Sequence, residues 1–408
     1  MSPADTLVAR AATRHSLFWL VAANVVGIWL AVCLQWPSVG DLAAPLTYGR
    51  WMPLHLNWQL YGWCSLPLVA ALLHWYLDGA NPQAVAQARF VLGAWSLALV
   101  FGGVAWLAGD TSGKLFLDWH GPTRAVLPVA MLLLWAVLAW HTWRRRQALG
   151  RNGLAGRAGL LVVLLAAPPW LYLASGRDYY PAVNPDSGGA TGAALLGSTL
   201  GIVTIFGLLP LLLGRRREVS AEWFWVALAG SWGMFAGMRH GSVSHHLPGQ
   251  EIALGVLLAW VPMLALYWQR FDWPEDSRCW LRAAWVWWLL LVVSGWLSFM
   301  PGLSERFKFT NALVGHAHLA MAGLVTSVNV LVLQTIGGGF ARKLPFWLWQ
   351  AGCGVHVGLL LALGWVENDH AGSLFRSEAW TQAIYGGRLA AGLAMAAGSV
   401  LWLREAWR

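Results

Sequence analysis

The sequence predicts an all-α bundle of about twelve transmembrane helices, and three observations carry that prediction. The 408 residues are 58% hydrophobic and only 11% charged, whereas a soluble protein of this length carries about twice that charged share. Twelve apolar runs approach or exceed the roughly 20 helical residues that a bilayer core requires. The basic residues are also divided unequally between the loops on the two sides of these runs.

The first six runs lie at 16–36, 53–77, 90–108, 125–143, 157–175 and 191–213. The other six lie at 222–239, 250–268, 281–300, 312–336, 345–365 and 384–404. Starting from a cytoplasmic N-terminus, 18 of the 27 lysines and arginines fall in cytoplasmic segments, leaving 9 outside. The clusters at 144–146 and 215–217 are both inside. Both termini are therefore expected in the cytoplasm.

No low-complexity tract, charged tail or Ser/Pro-rich linker divides the chain, so residues 1–408 read as one membrane domain. The polar segment 1–15 leads into the first run with no small-residue cleavage site after it, which predicts a retained helix. The net charge of +9 is accounted for by the loop arginines, and nucleic acid is not an expected partner. Many of the 31 tryptophans sit toward run ends, as at Trp285, Trp287, Trp288, Trp347 and Trp349, where an interfacial belt is expected. Acidic residues are nearly absent from the run centres, where a charge costs about 2.5–3.5 kcal/mol. With no acidic chain crossing the membrane, the sequence argues against a proton pump.

The cysteines, Cys33, Cys64, Cys279 and Cys353, are scattered. Without a C-x-x-C pair the chain has neither a covalent c-type haem motif nor a thiolate zinc site. The twelve histidines can be sorted by depth and by their neighbours. His15 and His141, at cytoplasmic run ends, are expected to be solvated. His74 and His356, within runs, are expected to pack by hydrogen bonds, while His120 and His370 fall in outer loops.

Five histidines share one depth near the outer face. His55 opens run two, His245 and His246 follow run seven, and His316 and His318 open run ten as Gly315-His316-Ala317-His318. Two residues along a helix are about 200° apart, so His316 and His318 point to opposite sides. Each can hold a separate haem, because imidazole is the usual axial ligand of b-type haem and a singly ligated haem keeps one face open for a gas. Adjacent imidazoles such as His245 and His246 suit one copper or iron.

These residues resemble the catalytic subunit I of the haem-copper oxidase superfamily. The likeness is nearer to the C-family (cbb-type) oxidases and the cytochrome c-dependent nitric oxide reductases. It covers the whole chain: twelve helices, His55 on the second, His245-His246 after the seventh, and His316-x-His318 on the tenth. The segment from Gly109-Asp110-Thr111-Ser112-Gly113 to Asp118-Trp119 also resembles the loop after helix three in those groups.

The resemblance implies that His55 and His318 ligate a low-spin haem and that His316 is the proximal ligand of a high-spin haem. It further implies that His245 and His246 hold a second metal, copper or non-haem iron. The family places a third metal histidine on helix six, but the stretch from Asn184 to Gly192 and the run through Pro210 contain none. His240 is expected to complete the set, with Glu251 the other nearby candidate. The helix-seven tyrosine of C-family oxidases and the helix-six glutamate of nitric oxide reductases also have no counterpart. Arg306, Lys308, Arg376 and Arg388 are candidates to pair with haem propionates.

The implied activity is reduction of dioxygen or nitric oxide at a high-spin haem and metal centre in a bacterial inner membrane. Electrons would come from a c-type cytochrome through two b-type haems, with membrane lipid as the surrounding partner. One alternative is a di-haem electron-transfer or gas-sensing subunit that has lost the second metal. The other is a twelve-helix transporter, which requires broken helices and repeats around a midplane site.

Overall fold

A computed structural model describes residues 3–77, 81–213, 221–337, 340, 343–367, 369 and 378–408. Arg376, His370 and the basic cluster at 215–217 lie outside the described residues. Every one of the twelve apolar runs becomes helix. In chain order these are α1 (Pro3–Gln35), α2 (48–76), α3 (Pro82–Ala108), α4 (Val126–Arg144), α5 (Arg151–Ala174) and α6 (Gly192–Leu212). They continue as α7 (Glu222–Gly237), α8 (Pro248–Trp268), α9 (Arg278–Leu297), α10 (311–335), α11 (Lys343–Glu367) and α12 (Ala379–Trp407).

Ten described helical segments are long and apolar enough to cross a membrane. The other two runs fall short for visible reasons: α7 has 16 residues, and α2 is interrupted at Ser65. The chain is a multi-pass all-α membrane protein.

Packing divides it into two compact units. The first comprises residues 1–180, 332–349 and 392–408; the second comprises 181–331 and 350–391. The boundaries at 331/332, 349/350 and 391/392 fall inside α10, α11 and α12. No linker composition marks them.

Inside the first unit, α1 runs along α2 and α3, and α4 pairs with α5. Inside the second, α8 lies between α6 and α9, and the middle of α10 packs on α9. Between membrane helices the gain comes from close packing and interhelical hydrogen bonds of about 0.6 kcal/mol each, since lipid is as apolar as the side chains. Tryptophan supplies many of these bonds. The Trp58 Nε1 donates to Leu99 O (3.0 Å) and Trp95 Nε1 to Tyr61 O (2.8 Å) in the first unit. In the second, Trp268 Nε1 donates to Phe206 O (2.8 Å) and Trp288 Nε1 to Trp260 O (3.1 Å).

Trp143, Trp347 and Trp407 stay exposed near helix ends, where the interfacial belt is expected, but other tryptophans are buried between helices. Trp63, Trp106, Trp119, Trp260, Trp268, Trp288, Trp349 and Trp402 are almost fully buried; for Trp268 and Trp288 a neighbouring helix carbonyl, which keeps a second lone pair, takes the indole N–H. His141 is corrected likewise: it is 4% exposed and bonds Gln87 Oε1 at 2.8 Å. His15 is half-buried and bonds Ser96 Oγ at 2.7 Å. Polar residues of α3 thus replace the solvent expected around both.

Helices α2 and α10 share a construction that hydropathy does not reveal. Each starts as α-helix (Tyr48–Asn57; Asn311–His318), widens into a π-helical turn (Trp58–Cys64; Leu319–Val325), then resumes as α-helix. At the end of each wide turn a hydroxyl reaches a carbonyl five residues back. Ser65 Oγ donates to Leu60 O (2.8 Å) and Thr326 Oγ1 to Met321 O (3.0 Å). Such turns leave carbonyls poorly paired and are frequent at functional sites.

Candidate functional site

The two π-helical turns follow the histidines singled out in the sequence: His55 lies three residues before one, and His318 directly before the other. In the first unit, His55 Nδ1 lies 2.9 Å from Ala23 O on α1. A carbonyl only accepts, so Nδ1 carries the proton and Nε2 presents its lone pair. Carbonyl anchoring of this kind fixes the tautomer and orientation of ligating histidines. Space for the ring depends on Gly27, where an added Cβ would stand 2.7 Å from His55 Cε1.

In the second unit, His318 Nδ1 bonds Val314 O at 2.9 Å, again leaving Nε2 as the acceptor nitrogen. His316 Nδ1 lies 3.2 Å from Ser294 Oγ on α9, with its ring over Gly295, where a Cβ would come within 3.2 Å of Cε1. His318 instead meets His356 of α11, with ring centroids 4.7 Å apart. The two histidines therefore serve opposite sides of α10, as their spacing predicts. His356 bonds Arg388 O at 3.3 Å, so the residue expected as packing sits directly beside a candidate ligand.

The outer loop after α3 is built around Asp118, which is 4% exposed. Asn57 Nδ2 donates to Asp118 Oδ2 (2.8 Å), Thr111 Oγ1 donates to Oδ1 (2.9 Å), and Trp106 Nε1 donates to Asp118 O (3.0 Å). Burial raises the Asp118 pKa above its ordinary value despite the Asn57 and Thr111 bonds. Asn57 follows His55 by two residues, so this network fixes the outer end of α2 on which His55 stands.

The His245–His246 pair collects a different set of neighbours from those expected. Single donor atoms of Asp186, His245 and His246 all lie within 4.8 Å of one another. His240 is not in the group: its exposed ring packs edge-on against Phe235 at 4.9 Å. The chain reverses at Gly241, whose φ is +90°, a conformation that glycine adopts without steric cost. The side chain brought beside the histidine pair in this structure is therefore Asp186, while the expected His240 stands apart from it.

Local hydrogen bonds explain how Asp186 is placed. Asn184 is fully buried; its N–H bonds Gly189 O (2.8 Å), and its side-chain Oδ1 accepts from Asp186 N (3.1 Å). Ser244 Oγ then donates to Asp186 Oδ2, joining this loop to the histidine pair. A search for histidine passes over the segment, whereas the Asn184-Pro185-Asp186 run carries both a turn signal and a carboxylate.

Glu305 lies beside the histidine pair but outside the group that Asp186 completes. Its Oε1 lies 2.7 Å from His245 Nε2 and 3.8 Å from His246 Nε2, and Oε2 accepts from Gly302 N at 2.5 Å. Desolvation pushes the Glu305 carboxyl up, but the backbone N–H groups of Glu305 and Gly302 and the His245 ring outweigh it. Its pKa is therefore lowered. Two imidazoles with the Asp186 carboxylate would fit a divalent iron, manganese or zinc better than the soft monovalent copper. Ligation through His245 Nε2 would displace its proton from Glu305. It would also turn the Asn184 amide, now donating to Nδ1 at 2.6 Å, so that its oxygen accepts from Nδ1–H. Apart from buried His245 the group is open, with His246 58% and the neighbouring Glu305 41% exposed.

Of the cations named for propionates, Arg306 pairs with Asp369 and lies over the Trp365 ring. Lys308 packs against Gly189, and burial lowers its pKa. Arg388 is 9% exposed, lies over Tyr385 and donates to Asn311 Oδ1 at 3.4 Å. Glu251 begins α8, with its carbonyl accepting from Trp296 Nε1 at 3.4 Å.

No protein-family model and no curated protein matches the chain. Among solved structures it is similar to a haem-copper terminal oxidase determined as a dimer by cryo-EM. The likeness has a TM-score of 0.52 at 13% identity and covers 100% of this chain and 84% of that one. Over its whole length, the chain has the fold of that haem-copper terminal oxidase.

Proposed function

We propose that this protein is a haem-binding membrane oxidoreductase of the haem-copper oxidase type. The observation that supports it best is the paired construction of α2 and α10. Each brings a histidine with Nδ1 anchored on a backbone carbonyl to a π-helical turn near the outer helix end. Bound haem would supply reversible one-electron transfer and, where only one protein ligand is present, an open iron face for a gas.

His55 and His318 are proposed as the low-spin ligands. They belong to separate units, and their pairing rests on the family resemblance. His316, turned toward Ser294, is proposed as the single protein ligand of the gas-binding haem. Dioxygen or nitric oxide is the proposed acceptor, and an external c-type cytochrome the proposed donor, since the chain lacks C-x-x-C-H. The outer-end position of the histidines suits a donor docking on that side. On the sequence pattern, the resemblance to cbb-type oxidases and nitric oxide reductases supports this choice of acceptor and donor.

The second metal is proposed at His245, His246 and Asp186, with Glu305 beside them. Asp186→Ala should lower bound metal about as much as His246→Ala, while His240→Ala leaves it unchanged, as read by metal content of the purified protein. Equal losses for His240→Ala and Asp186→Ala would refute the assignment. The engagement of both His245 nitrogens by Asn184 and Glu305 favours a second reading, a di-haem electron carrier without the second metal. Wild-type protein holding haem but no stoichiometric metal would support that reading.

A further inference from the structure

The connection between α8 and α9 lies on the side that the basic loops mark as cytoplasmic. There it forms a cavity of about 290 Å³. Arg278 and Arg282, one turn apart on α9, line it together with the Gln269 side chain at the end of α8. Its walls are aromatic: Phe271, Trp273 and Trp285. These rings are held in place from behind, because Trp268 stacks on Trp273 at 4.9 Å and meets Trp285 edge-on at 5.3 Å.

Neither arginine has a hydrogen-bond or ion-pair partner among the described residues. The acidic residues of the same connection, Asp272, Glu275 and Asp276, do not line the cavity. Further along the two helices, Leu266, Val286, Leu289 and Leu290 are all close to half exposed or more. In a membrane helix such a face meets acyl chains. The molecule thus presents guanidinium donors and an amide at the membrane boundary, a rigid aromatic wall beside them, and an apolar track leading into the bilayer.

We infer that this cavity is a binding site for an anionic phospholipid. The phosphodiester is held by Arg278 and Arg282 with Gln269, and the acyl chains lie along Leu266, Val286, Leu289 and Leu290. The guanidinium fork matches phosphate oxygens in a way that a surface lysine does not. Basic pockets between helices on the cytoplasmic side are suited to such headgroups. A free phosphate would use the same donors but gain nothing from the aromatic wall or the apolar track.

The test uses the delipidated full-length protein in detergent, titrated with phosphatidylglycerol, phosphatidylcholine or inorganic phosphate and read by native mass spectrometry. Phosphatidylglycerol is expected to bind about tenfold or more tightly than phosphatidylcholine, given the attraction per basic residue at an anionic headgroup. The Arg278→Gln/Arg282→Gln double variant should lose that preference. Arg145→Gln/Arg146→Gln, in the connection between α4 and α5, should keep it. As a measurement independent of the variants, phosphatidylglycerol should raise the wild-type melting temperature more than phosphatidylcholine. An equal loss in both double variants would overturn the proposal in favour of diffuse surface charge. Competition by inorganic phosphate at the lipid's own concentration would overturn it in favour of a free-anion site. Absence of any lipid preference in the wild type would also overturn it. These readouts do not depend on haem, so the outcome is separate from that of the proposed function.

Discussion

Reduced wild-type protein is expected to bind carbon monoxide, and His316→Ala to abolish that binding. His316 projects to the α9 side of α10, against Ser294 and Gly295, while His318 serves the α11 side. Because the two rings point apart, His318 cannot replace His316, and loss of His316 would leave the proposed gas-binding haem without a protein ligand. A haem held by one imidazole keeps an open face for carbon monoxide, whereas a bis-imidazole haem does not. The readout is the carbon monoxide difference spectrum of the reduced protein. A graded control is Gly295→Ala, whose Cβ stands 3.2 Å from the His316 ring and should shift the spectrum without removing it. Wild-type protein inert to carbon monoxide would move the account to the di-haem electron carrier.

The second large effect is expected at the low-spin haem. His55→Ala and His318→Ala should each remove the low-spin reduced spectrum while leaving much of the carbon monoxide-binding haem. If His55 and His318 hold the same haem as proposed, loss of either imidazole would remove one of its two protein ligands, so the two variants should look alike although the residues stand on different helices. Gly27→Ala adds a control that leaves both ligands present. Its Cβ would lie 2.7 Å from His55 Cε1, so the ring must turn and strain its bond to Ala23 O. A shifted potential or spectrum is expected there, short of complete loss. An unchanged low-spin spectrum in both histidine variants would defeat the assignment.

The helices were legible because bilayer thickness imposes one length and one composition on every crossing. The opposed directions of His316 and His318 were legible because helical geometry alone fixes them. Other features were hidden, each for a physical reason. The π-helical turns in α2 and α10 leave the apolar run intact, so hydropathy does not register them. Their only local trace is the hydroxyl of Ser65 or Thr326 five residues after the carbonyl it satisfies. Asp186 and Glu305 come to the histidine pair through folded loops rather than through a fixed spacing. The burial of Trp106, Trp260 and Trp288 depends on the acceptors brought to them, the Asp118 carbonyl, the Ser231 hydroxyl and the Trp260 carbonyl, a tertiary property that a single chain segment does not carry.

The carboxylates beside His245 and His246 bear most directly on function. The Asp186 carboxylate makes the candidate group harder than a purely imidazole one, and Asp186, His246 and the neighbouring Glu305 are all exposed. The histidines at α2 and α10 are by contrast embedded in helix contacts and anchored through Nδ1. The proposed haem ligands thus stand on helices, whereas the proposed metal group is assembled from loops. This separation is why the haem assignments and the second-metal assignment can fail independently.

The most direct test of the haem assignment is the haem content of the purified full-length chain, measured by pyridine haemochrome together with elemental metal analysis. The account predicts two b-type haems per chain, with a divalent non-haem metal that is lost on Asp186→Ala. A purified, folded protein that carries no haem would contradict it.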